Sequence, residues 1–293
     1  MTNSPSKSLP AVRLGAISFV NTVPIYSAYA PDTEVTMVYE VPTRLNAMIL
    51  AGALDISPVS SACYLRNQDQ LVLLRDLSVS SPGAVESVLF LSREPLGAGL
   101  LDMPAISVPD DSETSVTLLA YLLKEATGQD LRPWFRIYEA AHYRQTLAET
   151  GNALIIGDNA LMMKESLSQN PQGMHCYDLS TLWRTKTQLP FVFAVWVANR
   201  RWAKEHPQRL AEINQALCQA RNQFFQDASR FQNGLQSAQE RSKLPSATLE
   251  RYYRHCLTYD LTPAHQASLE QFEAVIQDTA NWESATLARQ SAR

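Results

Sequence analysis

Small hydroxyl and amide side chains recur where an apolar run gives way to a helix start. They stand at Ser18, Asn21 and Thr22, at Ser60 and Ser61, and at Thr114 and Ser115, with Thr43 at a fourth helix start. A helix N-terminus exposes N–H groups without intrahelical partners and carries partial positive charge. Such ends hold carboxylates and phosphates without a lysine. The plain alternative is that each Ser or Thr is an N-cap, worth about 1 kcal/mol of stability. Several such ends aimed at one cleft would make a site for a small anion.

Charged candidates are fewer. Arg44 follows Thr43 and offers a cation to a carboxylate, or else a solvated side chain. Asp158, after Gly157 at the end of an apolar run, can cap the next helix or touch a ligand. The five histidines form no H-x-x-x-H or H-x-x-E-H pattern, so no metal site is expected. Cys63, Cys176, Cys218 and Cys256 contain no C-x-x-C and read as reduced core thiols. The glycines make neither G-x-G-x-x-G nor a P-loop, so no nucleotide or other organic cofactor is expected.

The chain has 293 residues, 45% of them apolar and 18% charged, which fits a folded soluble protein of one large or two modest domains. The net charge is −4 and no block of like charges occurs, so nucleic acid and membrane surfaces are not expected partners. An anionic ligand must be held by local groups. Lys7 precedes an apolar stretch, and Ala28-Tyr29-Ala30 resembles a signal-peptidase site. Ser18, Asn21, Thr22 and Pro24 interrupt that stretch, however, and it reads as a strand, a turn and a helix. No apolar run reaches the ~18 residues of a membrane span. A cytoplasmic location is expected.

Alternating strand and helix patterns imply an α/β protein with parallel strands. Residues 1–10 read as a flexible arm. Strands are expected from Val12 to Phe19, Glu34 to Val41, Leu54 to Val59 and Leu71 to Leu74, with helices starting at Pro24, Pro42 and Ser60. The apolar strand from Ser87 to Ser92 is followed by Gly97 and Gly99, a candidate hinge. A second unit then runs through the helix from Val116 to Ala126 and the strand from Ala153 to Ile156. The continuous run from Phe191 to Val197 carries the chain back. The domain reading is therefore one lobe from 11–93 plus 197–293, including C-terminal helices, and a second lobe from 94–196. Two crossings join them, and a cleft between such lobes is a favoured ligand site and can hinge. Leu210, Ile213, Leu217, Ala220, Phe224, Ala228, Phe231 and Leu235 step by threes and fours as one long amphipathic helix. Its stripe packs on its own lobe or serves a homodimer.

Within this layout, Gly15-Ala-Ile-Ser-Phe-Val-Asn21-Thr-Val-Pro24 and Gly52-Ala-Leu-Asp55-Ile-Ser-Pro-Val-Ser-Ser61 form two specific blocks. With Pro42-Thr-Arg-Leu45, Gly83-Ala-Val-Glu86-Ser87-Val-Leu, Thr114-Ser115, Ile156-Gly157-Asp158 and Leu189-Pro-Phe-Val-Phe-Ala-Val-Trp196, they resemble the menaquinone-biosynthesis MqnA family. These are the chorismate dehydratases of the futalosine pathway. The similarity runs from about residue 12 to residue 280. It implies a two-lobe fold like the type II periplasmic binding proteins, with the ligand between the lobes. It also implies conversion of chorismate to 3-[(1-carboxyvinyl)oxy]benzoate and water. A sister family on the same fold carries a Ser-Pro-Cys-Pro-Asn-Asp type segment that this chain lacks.

Under that resemblance, Asn21 is expected to hydrogen-bond the leaving hydroxyl or a substrate carboxylate, and Ser87 to donate to the substrate. Ser18, Thr22, Thr43, Arg44, Ser60, Ser61, Glu86, Thr114, Ser115 and Asp158 are the expected substrate-binding set. Glu86 is the obvious candidate base. Period-two alternation nevertheless points it away from Ser87, toward pairing with an arginine. The base is then expected to be the enolpyruvyl carboxylate of the substrate, which hangs from the carbon that loses its proton. The competing class is a non-catalytic small-anion binder or sensor of the same fold.

Overall fold

The computed structural model describes residues 11–103, 105–169 and 173–291; the arm expected at 1–10 lies outside them. The chain opens with β1 (Val12–Ile17), α1 (Val23–Tyr26), β2 (Val35–Glu40), α2 (Pro42–Leu50), β3 (Ile56–Ser60), α3 (Ser61–Arg66) and β4 (Leu71–Ser81). Next come β5 (Val88–Ser92), β6 (Ile106–Pro109), α4 (Glu113–Thr127), β7 (Phe135–Tyr138), α5 (Tyr143–Thr150), β8 (Asn152–Ile156), α6 (Gly157–Gln169), β9 (His175–Asp178) and α7 (Leu179–Thr187). The chain returns through β10 (Phe191–Asn199), followed by α8 (Arg200–Glu205), α9 (Pro207–Gln226), α10 (Ala228–Ser242) and α11 (Ser246–Arg251). A π-helical turn (Tyr252–Cys256) then leads to α12 (Pro263–Ser291).

The first sheet has the order β2-β1-β3-β10-β4. β1 lies parallel to β2 and β3, because the helical crossovers α1 and α2 return the chain to the same end of the sheet. β10 is antiparallel to both β3 and β4. In the second lobe β5 is antiparallel to β8 and β9, while β6 and β7 are parallel. The Asn152 side chain links β6 to β8: its Oδ1 accepts the Ser107 N–H at 2.9 Å and its Nδ2 donates to Ala105 O at 2.8 Å. Strand–helix alternation implies purely parallel sheets, but both lobes are mixed. The strands that break the pattern, β5 and β10, carry the chain between lobes and need no helical crossover.

Their pairing also moves the crossings. β5 belongs to the second sheet and β10 to the first, so the chain passes between sheets at 82–87 and 188–190. The boundary expected at 93/94 follows β5, and the one at 196/197 falls inside β10. A strand buried on both faces reads the same in either sheet, so pattern alone could not assign it. Gly97 precedes and Gly99 lies within a 3₁₀ turn (Ala98–Asp102) in the second lobe, outside both crossing segments.

The expected long helix is two. Asp227 adopts an extended conformation and its carboxylate caps α10, accepting the N–H groups of Ser229 at 2.8 Å and Arg230 at 3.2 Å. Its apolar stripe, from Ile213 through Phe224 to Leu235, is buried against its own molecule. The four cysteines are free thiols. Among the described residues no helix is long and apolar enough to cross a membrane.

Candidate active site

Where the strands of both lobes end, a cavity opens partly to solvent. Ile17 and Ser60 reach it from the ends of β1 and β3, and Ile156 and Gly157 from the end of β8. Ligand sites of α/β folds lie at this end, where strand termini and helix starts present unpaired polar groups. Apolar surface comes from Phe19, Val85, Val88, Phe193 and Leu257 among others. The polar lining is amide and hydroxyl: Asn21, Ser60, Ser87, Ser112, Thr114, Ser115 and Tyr252. No side chain of Asp, Glu, Lys, Arg or His is among the described residues that line it.

Asn21 sits on a 3₁₀ turn (Val20–Thr22) between β1 and α1. Four hydrogen bonds pin the backbone there. Thr22 Oγ1 donates to Ile17 O at 2.9 Å, and Val20 N–H donates to Asp158 Oδ1 at 3.1 Å. The phenols of Tyr253 and Tyr259 donate to Val20 O at 3.0 Å and Asn21 O at 2.8 Å. The side-chain Oδ1 of Asn21 is buried without a partner. An unsatisfied buried acceptor costs about 1–3 kcal/mol, which a donating ligand would recover.

Ser87 leads into β5, and the Tyr252 phenol donates to its Oγ at 2.8 Å. Tyr252 is fully buried, which pushes its pKa well above the ordinary tyrosine value and keeps it protonated. Glu86 takes the left-handed region with φ 59°, which costs a non-glycine residue and needs surrounding support. The support is Asp178, whose Oδ2 accepts the Glu86 N–H at 2.7 Å. The turn sends the Glu86 carboxylate to Arg251 at 2.8 Å, outside the cavity lining. The expected substrate-binding residue Glu86 is thus placed off the cavity wall, facing Arg251. It diverges from Ser87 as expected, but through a left-handed turn rather than strand alternation.

Across the cavity, the first turns of α3 and α4 meet. Ser60 Oγ caps α3 by accepting Cys63 N–H at 3.2 Å, receives Asn46 Nδ2 at 2.9 Å and donates to Glu113 Oε2 at 3.3 Å. Thr114 Oγ1 accepts the Ala62 N–H at 2.9 Å, joining one lobe to the other. Ser112 caps α4 through the Ser115 N–H at 3.3 Å, and Arg66 pairs with Glu113. The first-turn N–H groups of Glu113 and Thr114 have no intrahelical partner, as at any helix start.

The structure thus brings Asn21, Ser60, Ser87, Thr114 and Ser115 to one cavity and leaves the other expected residues off its wall. Thr22 is satisfied within its own turn, and Ser61 donates to Val192 O at 2.7 Å, so both serve the scaffold. Arg44 is exposed and 3.9 Å from Glu40, on the outer side of α2. Thr43 is half-buried in that helix, and its neighbour Pro42 reaches the cavity instead. Ser18 donates its N–H to Glu40 O at 3.0 Å and receives Arg241 at its carbonyl. Asp158 holds the Val20 backbone; its burial raises the carboxyl pKa.

Residues that sequence reasoning missed are Ser112, Tyr252, Phe19, Phe193 and Gly157. Ser112 was findable as the N-cap before Glu113. Tyr252 had no local signal, because it reaches Ser87 from 165 positions away.

Residues 12–278 match the family described as menaquinone biosynthesis. The chain belongs to this family. It is 34% identical to the chorismate dehydratase of Thermus thermophilus over 221 residues, 72% of this chain and 76% of that protein. In fold it is similar to a protein of Archaeoglobus fulgidus, with TM-score 0.69 and 16% identity over 92% of this chain and 98% of that one. It is also similar to the periplasmic aliphatic sulphonate binding protein of Escherichia coli, with TM-score 0.65, 14% identity and coverage of 93% and 94%. A Candida albicans protein described as having the generic periplasmic binding protein fold superposes with TM-score 0.60 at 10% identity, over 93% of this chain and 95% of that one. This menaquinone-biosynthesis protein therefore has the two-lobe architecture of the periplasmic binding proteins, with its cavity where the lobes meet.

Proposed function

We propose that this chain is a chorismate dehydratase, a lyase of the cytoplasm that converts chorismate to 3-[(1-carboxyvinyl)oxy]benzoate and water. Family membership and the named relative support the reaction. The structural observation that carries it is Asn21 Oδ1, a buried acceptor without a partner on a cavity that also receives Ser87. The C4 hydroxyl of chorismate can donate to that oxygen and accept from the same amide.

The lining suits the rest of the molecule. Phe19 and Phe193 offer apolar surface to the ring, and the hydroxyls and free N–H groups at the start of α4 offer donors to a carboxylate. Loss of the C3 proton puts charge on a carbon vinylogous to the ring carboxylate, which spreads it. The C4–O bond then breaks and the ring becomes aromatic, which drives the reaction forward.

The base in this reading is the enolpyruvyl carboxylate. Glu86 is paired with Arg251, and no carboxylate side chain is among the described residues lining the cavity. The proton that the carboxylate takes leaves with the departing hydroxide as water, so charge balances without an external acid.

The test is incubation with chorismate, following loss of its diene absorbance and appearance of the aromatic ether by mass. Turnover is expected. Binding without turnover would overturn the dehydratase reading and favour a sensor of the same fold.

A further inference from the structure

The segment 252–259 meets the first sheet only at its end, where Thr258 bridges Ser80 of β4, yet three of its phenols end at Ser87 or on the turn that carries Asn21. Tyr252 donates to Ser87 Oγ at 2.8 Å, Tyr253 to Val20 O at 3.0 Å and Tyr259 to Asn21 O at 2.8 Å. All three rings are buried, with 1%, 1% and 4% exposure. The first two lie in the π-helical turn Tyr252–Cys256, a rare local geometry that shifts side-chain directions relative to a regular helix.

We infer that Tyr252 is a positioning residue that directs the Ser87 proton into the cavity, within a three-tyrosine frame that aims Asn21 and Ser87 at the same substrate. A serine hydroxyl has one proton to donate. With Tyr252 donating to its oxygen, Ser87 has no reason to turn toward the phenol, and its own proton is left for the cavity. Among the described residues the Ser87 hydroxyl makes no other hydrogen bond than the one from Tyr252. Linked donors also polarise one another, so the phenol strengthens Ser87 as a donor to a substrate oxygen. Tyr252 supplies a hydrogen bond and keeps its proton throughout, because a buried phenolate would be poorly solvated. Tyr253 and Tyr259 act on the other arm. By holding two successive carbonyls they fix the turn and leave the Asn21 amide facing the cavity.

This inference rests on the dehydratase reading for its kinetics, and the test separates the two. Tyr252→Phe keeps the ring and removes only the hydroxyl. In an active wild type, kcat for chorismate is expected to fall about tenfold, the factor one ordinary hydrogen bond carries, with KM changed far less. In a Ser87→Ala background the same substitution should change kcat little, because its effect passes through Ser87. Equal losses in both backgrounds, or no loss in either, overturn the inference while leaving the reaction standing. A wild type that does not turn chorismate over ends the dehydratase reading instead. The crystal structure of Tyr252→Phe then decides the inference: Ser87 Oγ is expected to change rotamer, and an unmoved Ser87 overturns it.

Discussion

Asp158, at the start of α6, accepts the Val20 N–H at 3.1 Å and so ties the second lobe to the turn that carries Asn21. Beside it, the Phe19 ring lies against Gly157, where an added Cβ would come within 3.2 Å of the ring at a φ of 60°. One lobe thus closes on the other through a backbone donor and an aromatic ring, both adjacent to a residue of the site. Asp158→Ala leaves Val20 N–H without its acceptor, whereas Asp158→Asn keeps an oxygen in place. The expected result is a kcat about tenfold lower in the alanine variant and closer to wild type in the asparagine variant. Steady-state kinetics with chorismate checks it, and equal effects of the two would show that the Asp158–Val20 hydrogen bond does not govern turnover.

Asn21 is predicted to carry the largest single side-chain effect. Asn21→Ala removes the group facing the leaving hydroxyl, and kcat should fall by about 10²–10³, the usual cost of one donor aimed at developing charge. Affinity for chorismate, followed by calorimetry, should change much less. A loss of affinity with kcat unchanged would instead make Asn21 a ground-state binder.

Glu86→Gln tests the assignment of the base. The carboxylate is held by Arg251, and that guanidinium is half-exposed, so losing the charge costs little stability. A kcat within about tenfold of wild type is expected, the scale of one disturbed hydrogen bond. A fall of many orders with chorismate binding intact would return the base role to Glu86.

Asp111, just before the cap of α4, has an Oδ1 that is buried without a partner. Burial, with Asp110 adding repulsion, pushes its carboxyl pKa up to about 6. The folded chain then holds this proton more tightly than the unfolded chain, whose aspartate titrates near 4. As pH rises from about 4 through about 6, the unfolded state releases the proton first and stability falls. Asp111→Asn should flatten that slope, melt higher than wild type at pH 8 and match it below about pH 4. Thermal melts across pH check this; a variant that melts lower at pH 8 would exclude the proposed cost.

Part of the cavity lining was readable because capping chemistry is local. Ser60, Thr114 and Ser115 stand at helix starts, where residue type and position in the motif suffice to place a hydroxyl near an unpaired N–H. Thr22 and Ser61 carry the same signature, yet their hydroxyls satisfy backbone carbonyls, Ile17 O and Val192 O. Only the three-dimensional neighbours separate the two cases. Arg44 lies off the cavity wall for a related reason: its helix turns that position outward, and periodicity across one short helix does not resolve the difference.

From its own order of residues the chain determined that strands alternate with helices in two lobes, that its four cysteines stay apart in sequence, and that small polar groups cluster at strand ends. Periodicity and capping express interactions over a few residues, so they are written where they act. Tertiary structure alone decided that β5 joins the second sheet and β10 the first, that Glu86 turns away in a left-handed conformation, and that tyrosines from the C-terminal segment reach the Asn21 turn and Ser87. Those outcomes depend on contacts between residues far apart in the chain, and a contact of that kind leaves no periodic trace in either partner.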